Sequence, residues 1–245
     1  MRVLLTVAYD GSGYYGWQRQ NGFVSVQQRL EEALSALLKK EITVRGASRT
    51  DTGVHSLGQR AVFSDDTISI PVEKIPYAVN SFLPEDIVIT NAVEVDDGFH
   101  PQYSVTDKTY EYKILNSEFK IPMLNRYTEF VRHKLDIEAM QRACPYFLGE
   151  HDFKAFCATG GSSKTTVRTI YSLEVKKDNN IITIRINGNG FLYNMVRIVA
   201  GTLVYVGLGK IAPEEIEGII NSRDRTKAGK TLSPNGLTLT EVHYE

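Results

Sequence analysis

Apolar positions dominate residues 2–9, RVLLTVAY, where β-branched and aliphatic side chains run up to a turn signal at Asp10-Gly11. That pattern predicts a strand. The pattern then changes. In residues 25–40, SVQQRLEEALSALLKK, Val26, Leu30, Ala33, Leu34, Leu37 and Leu38 recur at helical spacing. Ser25 and Gln28 have the spacing of a capping box, and Lys39 and Lys40 suit the negative end of a helix dipole. A short strand over 42–46 and a strand over 59–64 follow. A helix over 72–82 begins after Pro71 and is weakened by Pro76, and a strand over 86–95 closes the half. The order is βαββαβ.

The second half repeats it. Residues 108–115 alternate as a strand, and 136–149 read as a helix capped by Asp136 and interrupted by Pro145. Residues 166–178 and 180–188 read as a hairpin turning at Asp178-Asn179. The apolar stretch 191–209 has the length of a membrane span, but Asn194 and Arg197 are costly in lipid, and a buried helix fits better. A short extra helix over 213–222 precedes a last strand, LTLTEVHY. The fold class is therefore α+β: two ferredoxin-like, split βαβ units with antiparallel sheets and helices on one face. The domains expected are 1–103 and 104–245. RNA-recognition domains use this topology and so do many unrelated proteins, so it permits RNA binding without showing it.

Composition changes this picture little. With 42% apolar and 23% charged residues, the 245-residue chain is ordinary for two globular domains. Its start is too short and too soon polar for a signal peptide. Cys144 and Cys157 lack metal-ligand spacing and read as reduced thiols of a cytoplasmic protein. A net charge of −1 argues mildly against a nucleic-acid partner, but the basic residues are clustered. Arg223, Arg225, Lys227 and Lys230 fall within 221–230 against Asp224, and Arg126, Arg132 and Lys134 within 125–134 against Glu129. A neutral total can hide a basic face, and ordinary solvated charge is the competing account.

Chemistry concentrates in SRTDTGVH, residues 48–55. Asp51-Thr52-Gly53 is the tripeptide of aspartic proteases, which need two such turns sharing one proton. This chain has one, flanked by Ser48, Arg49, Thr50 and His55 rather than by an apolar setting. Asp51 is open to two other readings: a turn residue bonded to its own backbone, or a reactive carboxylate kept ionised by a nearby cation. The loop YDGSGYYGWQRQ, residues 9–20, is either a packed Ω-loop or a set of rings and amides offered to a nucleic acid. Tyr110 and Tyr112 share a strand face with Lys108, as core neighbours or with one ring stacking on a base. Arg197, in a mostly apolar helix, needs a carboxylate if buried, whether Asp51 or a structural acid.

Taken together, YDGSGYYGWQRQ, SVQQRLEEAL, GASRTDTGVHSLGQ, FHPQYSVTDKTYEY, HDFKAFCATG, FLYNMVRIVAGTL and AGKTLSPNGLTLTEVHY resemble, in that order, the motifs of TruA-type tRNA pseudouridine synthases. The match runs from about residue 9 to the last strand, and RTDTGVH is its most specific part. The resemblance implies isomerisation of uridine to pseudouridine at positions 38, 39 and 40 of the tRNA anticodon stem-loop. It implies no cofactor and no metal, and a homodimer that grips one tRNA with both subunits. Asp51 matches the essential aspartate of the family. Arg49 matches the arginine associated with opening the stem-loop and placing the flipped base, Tyr110 the tyrosine that packs on the target base, and Arg197 the arginine that pairs with the catalytic carboxylate. The chain departs from the family pattern at Pro101-Gln102 and at Ser233-Pro234. Phosphate contacts are expected from Arg126, Arg132, Lys134, Arg168, Arg223 and Arg225. The alternatives are a paralogous synthase acting on other uridines and a non-catalytic twin-domain RNA-binding protein, in which Asp51 has no role.

Overall fold

A computed structural model describes residues 1–161 and 163–244. Its regular elements, in chain order, are β1 (Arg2–Tyr9), α1 (Val26–Leu38), β2 (Arg45–Gly46), β3 (His55–Ser64), α2 (Ile75–Asn80) and β4 (Ile87–Glu94). Then come β5 (Val105–Asn116), β6 (Glu129–Val131), α3 (Ile137–Ala143), β7 (Gly149–Asp152), β8 (Val167–Asp178) and β9 (Ile181–Gly188). The last are α4 (Met195–Gly207), α5 (Glu215–Ser222) and β10 (Leu237–Tyr244). The chain forms two units, one of Met1–Thr106 with the strand from Thr238 onward, the other of Asp107–Leu237.

In the first unit β1 lies between β4 and β3, antiparallel to both, and β2 pairs with the end of β3 through Arg45–Val62 and Gly46–Ala61. The order β4-β1-β3-β2 is that of a split βαβ unit. Alternate residues of β1, Val3, Leu5, Val7 and Tyr9, turn inward and pack with Leu30 and Leu34 of α1, Ile75 and Val79 of α2, and Ile87 and Ile89 of β4. Each fully buried aliphatic side chain here stabilises the fold by roughly 2 kcal/mol relative to exposure.

Three local expectations change in detail. Ser25 Oγ accepts the Gln28 N–H at 3.2 Å and caps α1, but the Gln28 side chain turns to Glu32 (2.8 Å), so the box is closed on one side only. The strand expected over 42–46 shrinks to two residues because α1 itself supplies the partners. The Ile42 N–H donates to Ser35 Oγ at 2.9 Å and the Val44 N–H to Glu31 Oε1 at 3.1 Å. The helix expected over 72–82 divides into a 3-10 turn, Val72–Lys74, and α2, whose first turn holds Pro76.

In the second unit β5, β9, β8 and β7 lie side by side, each antiparallel to the next, and β6 runs parallel to β5. Ile182, Ile184 and Ile186 of β9 are buried, as is most of α4. Asp136 Oδ1 caps α3 by accepting the Ala139 N–H at 2.9 Å. The helix gives way to a 3-10 turn, Cys144–Phe147, where Pro145 has no N–H to continue it. The hairpin turns at Asn179, held at φ 52°. The apolar stretch becomes helical only at Met195, since Asn194 sits at φ 59°. None of the described helices is long and apolar enough to cross a membrane. Cys144 and Cys157 are free thiols.

The last strand differs most from the sequence reading, which counted it with the second domain. Its contacts put it in the first unit, where Thr238 and Leu239 run parallel to His55 and Ser56 at the start of β3. Ser56 Oγ donates to the Leu239 carbonyl at 3.1 Å. Gly58 admits the strand's backbone, because a Cβ there would lie 2.2 Å from the Thr240 carbonyl oxygen.

Candidate active site

Asp51 lies on the loop between β2 and β3, half-buried, and the backbone around it is bonded on every side. The Trp17 N–H donates to the Thr50 carbonyl at 3.1 Å, the Gly53 N–H to the Tyr14 carbonyl at 3.2 Å, and Gln59 Nε2 to the Ser48 carbonyl at 2.7 Å. The hydroxyls of Tyr9 and Thr50 share a buried hydrogen bond of 2.8 Å. The turn closes through Val54 N–H to the Asp51 carbonyl at 3.1 Å, with Gly53 at φ 79°. A carboxylate on such a loop is positioned by its backbone before any substrate arrives.

Residues 9–20 form the other wall of this arrangement, and most of their motif is structural. Trp17 is 1% exposed and lies over Gly46, where a Cβ would sit 2.3 Å from the indole Nε1. The Tyr14 hydroxyl donates to Asp86 at 2.6 Å, and burial with that carboxylate raises its pKa far above the ordinary range. Arg19 pairs with Glu31 at 2.7 Å. Gly11 fits against Val54, whose carbonyl oxygen would be 2.0 Å from a Cβ there, and its N–H donates to His55 Nδ1 at 3.1 Å. The Asp10 carboxylate is also 3.1 Å from that nitrogen. The packed-loop reading therefore holds for Trp17, while Tyr15 and Phe23 remain half-exposed with ring centres 4.5 Å apart. Arg49 is exposed and makes no hydrogen bond or ion pair among the described residues.

In the second unit Tyr110 and Tyr112 both point inward from β5 and differ in what they meet. The Tyr112 hydroxyl donates to the Ser233 carbonyl at 2.8 Å, and burial pushes its pKa far up. The Tyr110 ring is 6% exposed and meets Phe191 edge to face, centres 5.3 Å apart. Lys108, on the same strand face, has its pKa pushed down to about 8 by burial and then by the charge of Arg168. Arg197, in the first turn of α4, donates through Nε to the Leu232 carbonyl at 2.7 Å and through Nη1 to Asn194 Oδ1 at 2.5 Å. These two bonds fix the plane of its guanidinium.

The expected phosphate contacts divide by their surroundings. Arg132 and Lys134 are exposed between β6 and α3, with no hydrogen bond or ion pair among the described residues, and Arg126 is exposed on the preceding loop. Arg223 pairs with Asp152 at 3.0 Å. Arg225 is engaged within its own loop, through Nη1 to the Gly229 carbonyl and Nη2 to Thr231 Oγ1, both at 2.9 Å. Arg168 is half-buried, with Nη1 on the Thr165 carbonyl at 3.0 Å. Both departures from the family pattern are built into the fold. The Tyr244 hydroxyl donates to the Pro101 carbonyl at 2.8 Å, and the Ser233 N–H to Glu129 Oε2 at 3.2 Å. Among the described residues no three His, Cys, Asp or Glu side chains are grouped so as to hold a metal ion. Sequence reasoning missed Tyr9 and Thr50 as supports of the Asp51 loop, because residues 41 positions apart leave no local pattern.

Comparison with known proteins gives concordant matches. A family model described as tRNA pseudouridine synthase matches residues 5–104 and 143–245. The chain is 50% identical over 242 residues to tRNA pseudouridine synthase A of Thermoanaerobacter sp. (strain X514), and 50% identical over 244 residues to that of Ruminiclostridium cellulolyticum. It is 47% identical over 242 residues to tRNA pseudouridine synthase A 2 of Clostridium perfringens. Each alignment covers 99% of both proteins.

Proposed function

Because the chain belongs to the tRNA pseudouridine synthase family, whose members are isomerases, we propose that it converts uridine to pseudouridine at positions 38, 39 and 40 of the tRNA anticodon stem-loop, in the cytoplasm and as a homodimer. The observation that carries the reading at residue level is the half-buried Asp51 on a loop whose neighbouring peptide groups are held by Trp17, Tyr14 and Gln59. The reaction breaks the glycosidic bond at the uracil nitrogen, turns the ring, and forms a bond from the sugar to a ring carbon. That carbon loses a proton and the freed nitrogen gains one, so substrate and product are isomers and no oxidant or reductant takes part.

The target base must first leave its stack, which costs a few kcal/mol. Arg49, exposed beside Asp51 in sequence, is proposed to fill the gap it leaves, and Tyr110 to pack on the base. Asp51 acts as the ionised carboxylate, as nucleophile or as base, and Arg197 is its proposed cation. The bonds from Arg197 to Leu232 and Asn194 support that role, since they hold the guanidinium in one plane.

Mapping pseudouridine in tRNA from cells with and without the protein tests reaction and positions together. Pseudouridine should vanish at positions 38, 39 and 40 alone; loss at other uridines would redirect the assignment to a paralogous specificity. In vitro, Asp51→Asn should fold, bind tRNA and form no pseudouridine. Normal turnover by that variant would remove Asp51 from the chemistry.

A further inference from the structure

In the second unit, the sheet face that carries Tyr110 also carries two cations that the proposed chemistry does not use. Lys108 is two residues before Tyr110 on β5, so both side chains leave the same face, about 7 Å apart along the strand. Lys108 is paired with Gly188 of β9, and Gly188 with Ile170 of β8. Residues paired across an antiparallel ladder share a face. Arg168, two residues before Ile170, therefore belongs to the same face as Lys108, with glycine in the strand between them. Its side chain reaches over the end of β9, where a Cβ on Gly190 would meet Arg168 Nε at 3.7 Å. Phe191 follows directly and stands edge-on to Tyr110. One small area thus brings together an ammonium, a guanidinium, a glycine floor and an aromatic wall.

We propose that Lys108 and Arg168 together grip one of the two phosphodiesters flanking the nucleotide whose base packs on Tyr110. The proposal rests on the reading of Tyr110 given above. Both cations are half-buried. Burial disfavours the charged form of each, and the charge of Arg168 disfavours it further at Lys108. Two cations that share a partly dehydrated surface gain from an anion between them, since it offsets both their mutual repulsion and the cost of burying their charge. A phosphodiester offers acceptors to both kinds of donor, the compact ammonium and the guanidinium fork. The spacing of Lys108 from Tyr110 along β5 suits a base and the phosphate attached to its own sugar.

The test uses the wild-type protein and stem-loop RNA carrying a single uncharged methylphosphonate, 5′ or 3′ of the target uridine. At one of the two positions, binding should weaken about ten-fold, the scale of a lost charged hydrogen bond. Lys108→Met should weaken binding of unmodified RNA by a similar factor and lower the slope of log K against log salt by roughly one. Against the methylphosphonate RNA, Lys108→Met should lose almost nothing further. Arg168→Gln repeats the comparison if Lys108→Met fails to give a cooperative melt. Unchanged wild-type binding with both modified RNAs overturns the proposal, and so do losses that multiply. Should the wild-type protein show the expected binding pattern and yet form no pseudouridine, the clamp stands and the isomerase reading falls.

Discussion

Tyr9 and Thr50 tie the loop that carries Asp51 to the end of β1 through a single buried hydroxyl pair. Thr50 precedes Asp51, and its hydroxyl meets that of Tyr9 at 2.8 Å at the end of β1. Tyr9→Phe keeps the ring in the core and leaves the Thr50 hydroxyl without this partner. The expected cost is about 1–3 kcal/mol, seen as a lower Tm. Since Asp51 loses a support rather than a contact with RNA, kcat should fall several-fold while KM for tRNA stays within about two-fold. Steady-state kinetics separate the two, and an unchanged kcat would reduce the pair to a packing role. His55 belongs to the same group of supports, as its Nδ1 receives the Gly11 N–H across the loop.

At the level of elements, Gly16 is the most exacting position of the loop facing Asp51. Its φ is 81°, and a Cβ would come within 2.4 Å of the Thr50 carbonyl oxygen. Gly16→Ala therefore combines backbone strain with displacement of the Asp51 loop. It is expected to cost at least about 1 kcal/mol and to reduce turnover more than tRNA affinity, measured by urea unfolding and by separate binding and rate assays. Nothing in the composition around Gly16 announces this, because the atoms it must avoid come from residues 50–52. The same physics divides what was legible in the sequence from what was not. The cap at Ser25 and the stripe of α1 are local, and both were readable. β6 and β7 were missed because three- and four-residue strands such as GEHD show no alternation and exist by pairing alone. The start of α4 was set four residues early, because apolar periodicity does not register a left-handed Asn194. In the site, RTDTGVH was distinctive as a motif, whereas the bonds that hold it come from β1, the first loop and β3.

For the molecule as a whole, a net charge of −1 leaves RNA affinity to particular basic residues. Exposed Arg132 and Lys134 and loop-bound Arg225 should then behave differently. Arg132→Gln and Lys134→Gln should each reduce the salt slope of tRNA binding by roughly one, with Tm unchanged. Arg225→Gln should mainly lower Tm, since it abandons bonds to Gly229 and Thr231. Titrations of binding against salt, paired with melting curves, distinguish the two classes, and a reversed pattern would reassign them. The last strand has a consequence for how the chain is made. Ser56 and the Leu239 that it binds are 183 positions apart. At about 5–20 residues per second, a ribosome takes roughly ten to forty seconds to deliver the second after the first. Throughout that interval the start of β3, next to the Asp51 turn, is an open strand edge in a nascent chain, available to any passing polypeptide. The unit synthesised first is thus the one finished last, and chaperone protection matters most for the half of the protein that carries the proposed catalytic carboxylate.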